Sequence, residues 1–398
     1  MTNSLYLSAL GIISPLGTGK DATYQAVMSG DQSNMICTDK WTPNSPEYVG
    51  MITDPLPALS TLDVRFQSRN NRLLNTASEQ IDTEIKSVIS EYGSHRIGVI
   101  IGTSTSGIEE SEIAMKYRSE NGAFPDTYHF NQQEIGSPSL FLAHKYGVKG
   151  PAYSVSSACA SGGKAFTAAA RLINADICDA VLVGGADSLC SLTIGGFRSL
   201  QALSDNICNP MSVNRSGTNI GEGAAVFIMS RQKSDVYFLG GGESSDAHHI
   251  SAPEPTGKGA EISMRRALQS ANIDECDIDY LNMHGTATGL NDSMEAAAVS
   301  RIFNESLPVS STKPMTGHAL GAAGAIEAAI LWLSLSNAAE RAKIPPHIWD
   351  GEADPEINRV RLAVHGQSID PKDRLLMMSN SFAFGGSNVS IILGRGGV

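Results

Sequence analysis

The sequence lacks the features of a secreted, membrane-spanning or metal-binding protein. Its six cysteines form no C-x-x-C pair and no other metal-ligand spacing, so we expect reduced thiols, no disulfide framework and no metal site. No stretch reaches the about 20 apolar residues that a membrane-spanning helix needs. The first residues also lack the basic and apolar regions of a signal peptide. These absences predict a cytoplasmic chain.

Positive charge is scarce as well. The formal net charge of −12 argues against nucleic acid as the main partner, because phosphate binding requires a basic face, although the total charge leaves room for a local basic patch. The remaining composition is that of an ordinary globular protein, with 41% hydrophobic and 18% charged residues among 398. A chain of this length can form two large halves with substantial cores.

Predicted strands and helices alternate along the chain, and the alternation begins again near Val236. Residues 156–159 and 310–313 each follow a short strand and open a helix of small residues, which indicates one structural unit used twice. We therefore predict an α/β fold with mixed, mostly parallel sheets covered by helices. The expected halves are residues 1–233 and 234–398.

Three residues are candidates for nucleophilic catalysis. Cys159 lies at the predicted start of a helix, where the helix dipole and unpaired N–H groups favour a thiolate. A buried structural cysteine would explain that segment equally well. His284 ends a predicted strand, and His318 precedes a helix of small residues. Two histidines in matching contexts, together with Cys159, favour catalysis.

Two charged residues are predicted to pair. Glu327 lies in an otherwise apolar helix predicted over residues 320–335, where an unpaired carboxylate would be very costly. Lys313, at the entrance of the same unit, is its natural partner. The alternative is that Glu327 faces solvent on a polar stripe.

Two further patterns carry weaker signals. Residues 102–107 form a Gly/Ser/Thr-rich loop after a strand, without the spacing of a dinucleotide or P-loop motif. Arg65, Arg69 and Arg72 share one helical face, for which a solvated surface is the simplest interpretation.

Taken together, residues 157–160, 284–288, 313–318, 321–324 and 380–388 resemble the motifs of one family. The chain is similar over nearly its whole length to β-ketoacyl-acyl-carrier-protein synthases of the decarboxylating Cys-His-His type. This resemblance implies the doubled thiolase-like fold, with layers in the order α-β-α-β-α. It also implies condensation of an acyl group with a malonyl unit, both carried by acyl carrier protein.

The resemblance further implies a role for each matching residue. Cys159 would accept the acyl group, His284 and His318 would donate hydrogen bonds to the malonyl thioester, and Lys313 and Glu327 would hold the histidines. The backbone N–H groups of Cys159 and Phe384 would form the oxyanion hole, with the Phe384 side chain as a gate.

Substrate handling is implied in the same way. Thr286 and Thr288 would bind the phosphopantetheine arm, and no cofactor beyond that arm is expected. Arg65 matches a docking position for the acidic carrier protein, and Arg69 and Arg72 would extend that face.

Residues 69–72, 102–107, 245–253 and 381–384 also resemble ketosynthases of bacterial aryl polyene clusters. Those enzymes act beside a chain-length-factor-like subunit, which implies a heterodimer, with a homodimer and ordinary fatty-acid elongation as alternatives. A thiolase is disfavoured because no second cysteine follows Cys276. A non-catalytic partner subunit is disfavoured because the nucleophile Cys159 is retained.

Overall fold

The computed structural model describes residues 5–338, 341–370 and 372–396. The elements of the first half are β1 (Leu5–Ser14), β2 (Gly17–Thr18), α1 (Lys20–Ser29), β3 (Met35–Thr38), β4 (Glu47–Gly50), α2 (Arg69–Glu79), α3 (Asp82–Tyr92), β5 (Ile97–Gly102), α4 (Ile108–Asn121), α5 (Ser137–Tyr146), β6 (Ala152–Val155), α6 (Ser161–Asn174), β7 (Ala180–Asp187), α7 (Ser191–Ser199) and β8 (Gly223–Ser230).

The elements of the second half are β9 (Val236–Ser245), α8 (Lys258–Ala271), β10 (Tyr280–Asn282), α9 (Gly289–Ile302), β11 (Pro308–Ser310), α10 (Lys313–Thr316), α11 (Leu320–Ser336), β12 (Ala342–Lys343), β13 (Arg361–Leu362), β14 (Ser368–Ile369), β15 (Arg374–Phe382) and β16 (Ser387–Gly396). Within the described ranges, none of the helices is long and apolar enough to cross a bilayer.

The strand order is the same in both halves. It is β6-β5-β7-β8-β1 in the first and β11-β10-β15-β16-β9 in the second, and β1 and β9 join the two sets at Leu5–Phe238 and Tyr6–Tyr237. In each half the first three strands are parallel and the last two pairings are antiparallel. The predicted α/β fold with internal duplication is confirmed.

Three helical layers cover these strands. Helices α2 and α5 pack on the outer face of the first half, and α8 packs on β9 and β16 of the second. Helices α6 and α11 pack against each other between the two sets of strands, within the largest hydrophobic core. This arrangement is the α-β-α-β-α layering expected from the sequence.

Small residues allow the two central helices to approach closely. A Cβ atom added to Gly162 of α6 would lie 2.7 Å from the backbone nitrogen of Ala325 in α11. One added to Gly324 would lie 2.7 Å from the backbone nitrogen of Gly163. The glycines of the two helix starts therefore set the separation of the segments that carry Cys159 and His318.

One predicted element differs from the structure. The spacing of apolar residues over 73–92 predicts one continuous helix, whereas α2 ends at Glu79 and α3 begins at Asp82. The side-chain amide of Gln80 turns to strand β1, where it accepts from the Ile12 N–H and donates to the Ile12 carbonyl. This pairing with a neighbouring strand fixes the break between the helices.

Candidate active site

Cys159 lies in a tight turn between β6 and α6. The preceding Ala158 has a φ of 46°, a conformation that costs energy for a residue with a Cβ atom. The Ser161 hydroxyl stabilises the turn, accepting from the Ser157 N–H at 2.8 Å and donating to the Ala158 carbonyl at 2.5 Å. The turn holds the Cys159 side chain in a fixed, buried position.

His318 lies against the Cys159 sulfur. Its Nε2 is 2.9 Å from Cys159 Sγ, although the two residues are far apart in the sequence. The His318 backbone is held on both sides, since its N–H donates to the Asn219 carbonyl at 2.6 Å and its carbonyl accepts from the Gly221 N–H at 2.9 Å. The imidazole is therefore placed to exchange a proton with the thiol.

His284 completes a group of three reactive side chains. Its ring centroid is 5.2 Å from that of His318, with the ring planes at 82°. One nitrogen of each histidine and the Cys159 sulfur lie within 4.8 Å of one another. Such a set could ligate a metal ion, but the positive charge of the nearby Lys313 disfavours a cation and leaves a site suited to proton transfer and hydrogen bonding.

Lys313 and Glu327 lie next to this group as a buried ion pair. Lys313 Nζ is 2.7 Å from Glu327 Oε1, and only 1% and 4% of the two side chains are exposed. The structure thus brings together the pair expected from the sequence. Burial raises the pKa of Glu327, and the Lys313 ammonium opposes that rise.

Burial also controls the charge of the reacting groups. It places the pKa of His284 and His318 well below their ordinary values, and the charge of Lys313 lowers both further. Burial raises the pKa of Cys159 to about 12, against the opposing effects of Lys313 and of the backbone N–H groups of Phe384 and Cys159. Burial therefore favours a neutral thiol beside neutral imidazoles.

The burial of Cys159 opposes the thiolate expected at a helix start. Helix α6 begins at Ser161, so Cys159 precedes its first turn. Burial raises the pKa of the Cys159 thiol, because ionisation would place a charge in a desolvated site.

Glu295 was missed by the sequence reasoning. Its two carboxylate oxygens each accept a 2.8 Å hydrogen bond, one from the His284 N–H and one from the Gly285 N–H. Burial raises the pKa of Glu295 to about 7. A signal was available, because Glu295 is the single carboxylate in the apolar run 294–299, the same criterion that singled out Glu327.

A cavity of about 360 Å³ leads to these groups. Besides Cys159, His284 and His318, its lining includes Thr286, Thr288, Phe197 and Phe384. The hydroxyls of Thr286 and Thr288 are 2.9 Å apart. Phe384 stacks on Phe197, with ring centroids 5.3 Å apart and planes at 16°, so these two rings form one wall next to the sulfur.

Two protein-family models match consecutive parts of the chain. The N-terminal domain of β-ketoacyl synthases matches residues 7–234, and the C-terminal domain of the same family matches residues 238–348. The chain belongs to the β-ketoacyl synthase family.

Relatives match this ketosynthase over almost its full length. A 3-oxoacyl-[acyl-carrier-protein] synthase 2 of Staphylococcus aureus is 31% identical, covering 97% of this chain and 99% of its own. A solved structure of the ketosynthase ApeO in complex with its chain length factor ApeC, from Xenorhabdus doucetiae, is 40% identical. It has a TM-score of 0.92 and 98% coverage of both chains. A β-ketoacyl synthase from Burkholderia phymatum is 26% identical, with a TM-score of 0.83, covering 98% of this chain and 99% of its own.

The Gly/Ser/Thr-rich loop of this ketosynthase binds an internal carboxylate. Asp187, at the end of β7, accepts hydrogen bonds from the Ser104 and Thr105 N–H groups at 2.8 Å and from the Thr103 hydroxyl at 2.7 Å. It also accepts one from the Ala322 N–H in the first turn of α11 at 3.1 Å. The loop therefore has a structural role, and its amide groups are not free for a phosphate.

The three arginines do not form the continuous exposed face that their spacing suggested. Arg69 forms a two-pronged ion pair with the fully buried Glu222, at 2.7 and 2.5 Å. Arg72 donates to backbone carbonyls in the loop before α2. Arg65 keeps 43% of its side chain exposed, so the docking prediction is restricted to Arg65 and remains a prediction there.

Proposed function

We propose that the chain condenses an acyl group held on Cys159 with a malonyl unit on acyl carrier protein, with loss of carbon dioxide. The observation that carries this proposal is the 2.9 Å contact between His318 Nε2 and Cys159 Sγ, with His284 facing the same point. A nucleophile beside a base, with a second hydrogen-bond donor across the cavity, fits covalent acyl transfer followed by carbanion chemistry.

In the first step, the Cys159 sulfur attacks the acyl thioester. Because burial favours the neutral thiol and neutral imidazoles, the thiol proton passes to His318 as the new S–C bond forms. The carrier thiolate leaves and takes up that proton. The backbone N–H groups of Cys159 and Phe384, which face the sulfur, would stabilise the negative charge on the thioester oxygen.

In the second step, the malonyl C–C bond breaks and carbon dioxide departs. The electron pair becomes an enolate, and the imidazoles of His284 and His318 donate hydrogen bonds to its oxygen. For His318 the donor is Nε2, the nitrogen that faces the sulfur, so its ring proton moves from Nδ1 to Nε2 after the first step. The enolate carbon then attacks the acyl carbonyl. The Cys159 sulfur leaves, takes up one proton from solvent, and frees a β-ketoacyl group on the carrier.

The substrates would enter through the cavity as phosphopantetheine thioesters. The hydroxyls of Thr286 and Thr288 lie on its wall, where they can bind the amides of the arm. No cofactor beyond this arm is required by either step. All six cysteines are free thiols, which is in keeping with a cytoplasmic enzyme.

For the pathway, we propose aryl polyene synthesis beside a chain-length-factor subunit. The support is the 40% identity with a ketosynthase solved in complex with its chain length factor. Elongation of ordinary fatty acids by a homodimer is the second candidate, and it is favoured by the 31% identity with 3-oxoacyl-[acyl-carrier-protein] synthase 2.

The test is intact-mass analysis after incubation with acyl-carrier-protein thioesters, comparing the wild type with Cys159→Ala. We expect an acyl adduct only on the wild type, and a β-ketoacyl carrier after malonyl carrier is added. Absence of a Cys159-dependent adduct overturns the proposal. Repeating the assay with and without a co-purified chain-length-factor subunit distinguishes the two pathways, since only the first requires that subunit.

A further inference from the structure

His347 is a buried histidine outside the reaction cavity. It lies in the segment after α11, with 5% of its surface exposed, and it is absent from the lining of the cavity that contains Cys159. Burial lowers the pKa of His347 to about 4, so the ring is neutral under ordinary conditions. A neutral imidazole has one nitrogen that donates and one that accepts, and both nitrogens of His347 are used.

The accepting nitrogen holds Ser311. His347 Nδ1 accepts a 3.1 Å hydrogen bond from the Ser311 N–H. The Ser311 hydroxyl donates in turn to the Gly285 carbonyl at 2.7 Å, and it accepts from the Lys313 N–H at 3.3 Å. Ser311 thus touches the residue after His284 and the backbone of Lys313. The position of Ser311 therefore affects the segments that carry His284 and Lys313, which are assigned to decarboxylation.

The donating nitrogen faces a different loop. His347 Nε2 is 3.0 Å from the Pro210 carbonyl. The next residue, Met211, donates its N–H to Asp292, whose carboxylate also accepts from the Ala287 N–H. The ring therefore connects Ser311 with the loop at Pro210, and Asp292 connects that loop with the Thr286–Thr288 turn. These two contacts set the tautomer of His347 with the proton on Nε2.

We propose that His347 is a positioning residue that aligns His284 and Lys313 for decarboxylation by holding the Ser311 backbone. The proposal rests on the proposed condensation and concerns its second step. Cys159 is held independently by the Ser161 hydroxyl, and His318 by Asn219 and Gly221. Loss of the contact with Ser311 should therefore affect decarboxylation more than acylation.

Two near-isosteric substitutions separate the two nitrogens. The side-chain oxygen in His347→Asn can occupy the place of Nδ1 and accept from Ser311, but it cannot reach Pro210. The side-chain amide in His347→Gln can occupy the place of Nε2 and donate to Pro210, but it offers no acceptor to Ser311. His347→Ala removes both contacts, and His365→Asn, at an exposed histidine, is the control.

Two rates are measured on each full-length variant, together with the melting temperature. The first is formation of the Cys159 acyl adduct by intact mass, and the second is carbon dioxide release from malonyl carrier protein. We expect His347→Ala and His347→Gln to lower decarboxylation by about tenfold or more, since misplacing a reacting group by about 1 Å can cost about a hundredfold. Acylation should change by less than about threefold, and His347→Asn should retain most of the decarboxylation rate.

The outcomes separate the inference from the proposed function. Equal loss of both rates in all three variants, or decarboxylation that follows the melting temperature, assigns His347 to folding and overturns the inference. Unchanged decarboxylation in His347→Gln overturns it as well. If the wild type releases no carbon dioxide from malonyl carrier, the proposed function itself fails. Should His347→Ala not fold, the comparison of Asn with Gln decides.

Discussion

The ammonium of Lys313 and the carboxylate of Glu327 are paired at 2.7 Å with almost no exposure to solvent. Removing one partner leaves the other as a buried charge, a change that typically costs about 3–5 kcal/mol of unfolding free energy. We expect this loss for Lys313→Met, measured by urea denaturation.

The matched control for this pair is Lys86→Met, at the exposed Lys86–Asp82 pair on α3, which should cost less than about 1 kcal/mol. A double variant, Lys313→Met with Glu327→Leu, should recover part of the stability but no condensation activity. Equal stability of Lys313→Met and Lys86→Met would contradict the prediction.

The neutral state of Cys159 predicts how its alkylation depends on pH. Because its pKa is raised to about 12, the thiolate fraction should rise about tenfold per pH unit between pH 7 and pH 10, and the alkylation rate should follow it in His318→Ala, where no base takes the thiol proton. The measurement is iodoacetamide labelling followed by peptide mapping, with Cys159→Ala to identify the peptide. The exposed Cys37 and Cys276 report on reagent stability. A rate that is already constant below pH 8 would mean that Cys159 is ionised at neutral pH, which would contradict the prediction.

The close contact of the central helices predicts a specific effect of Gly162→Ala. The added methyl would meet the backbone of Ala325 at 2.7 Å and that of Gly321 at 2.9 Å. Overpacking of this kind costs about 1–3 kcal/mol, and moving the helices apart lengthens the distance from Cys159 to His318. We expect slower acylation by a small acyl thioester.

Gly196→Ala is the control for this substitution. Gly196 lies in α7 with open space around its Cβ position, so the exchange should be neutral or stabilise by up to about 1 kcal/mol. The idea of a fixed helix separation fails if Gly162→Ala acylates Cys159 at the wild-type rate.

Arg65 and Arg69 are predicted to differ in function. Arg65→Glu places a negative charge on an exposed position and should slow condensation of carrier-bound substrates several-fold, because charges at an interface rim mainly affect association. Small thioesters should react as before. Arg69→Met instead leaves Glu222 unpaired and should lower stability by about 3–5 kcal/mol, with equal losses for both substrates. If Arg65→Glu slows both substrates equally, it has no docking role.

Much of the fold was predictable from the sequence, because strands and helices alternate and the units around Cys159 and Lys313 repeat. The positions of Cys159, His284 and His318 also follow from short motifs. The protonation state of Cys159 could not be predicted from a motif, because it depends on how deeply the two halves bury the sulfur. Arg69 was misread for a similar reason, because its partner Glu222 comes from a distant segment.

The residues that hold the reacting groups were the hardest to find. Asp187 binds backbone N–H groups, and the sequence does not show which backbone groups a carboxylate will meet. Glu295 also binds backbone N–H groups, although its place as the single carboxylate of an apolar run could have singled it out. His347 likewise binds a backbone N–H and a carbonyl of two remote loops. Sequence patterns therefore identify the side chains that react and the Lys313–Glu327 pair that supports them, whereas supports that bind the backbone of remote loops are found in the folded chain.

The duplicated strand order has a consequence for how the two halves depend on each other. Equivalent positions after β6 and β11 now carry different chemistry, a thiol in the first half and an ammonium and an imidazole in the second. Neither half contains all of the reacting groups, since Cys159 lies in the first and His284 and His318 lie in the second. The equivalent position in the other half therefore cannot replace a reacting group that a substitution removes. The duplication gives the two halves different roles and no spare copy of either role.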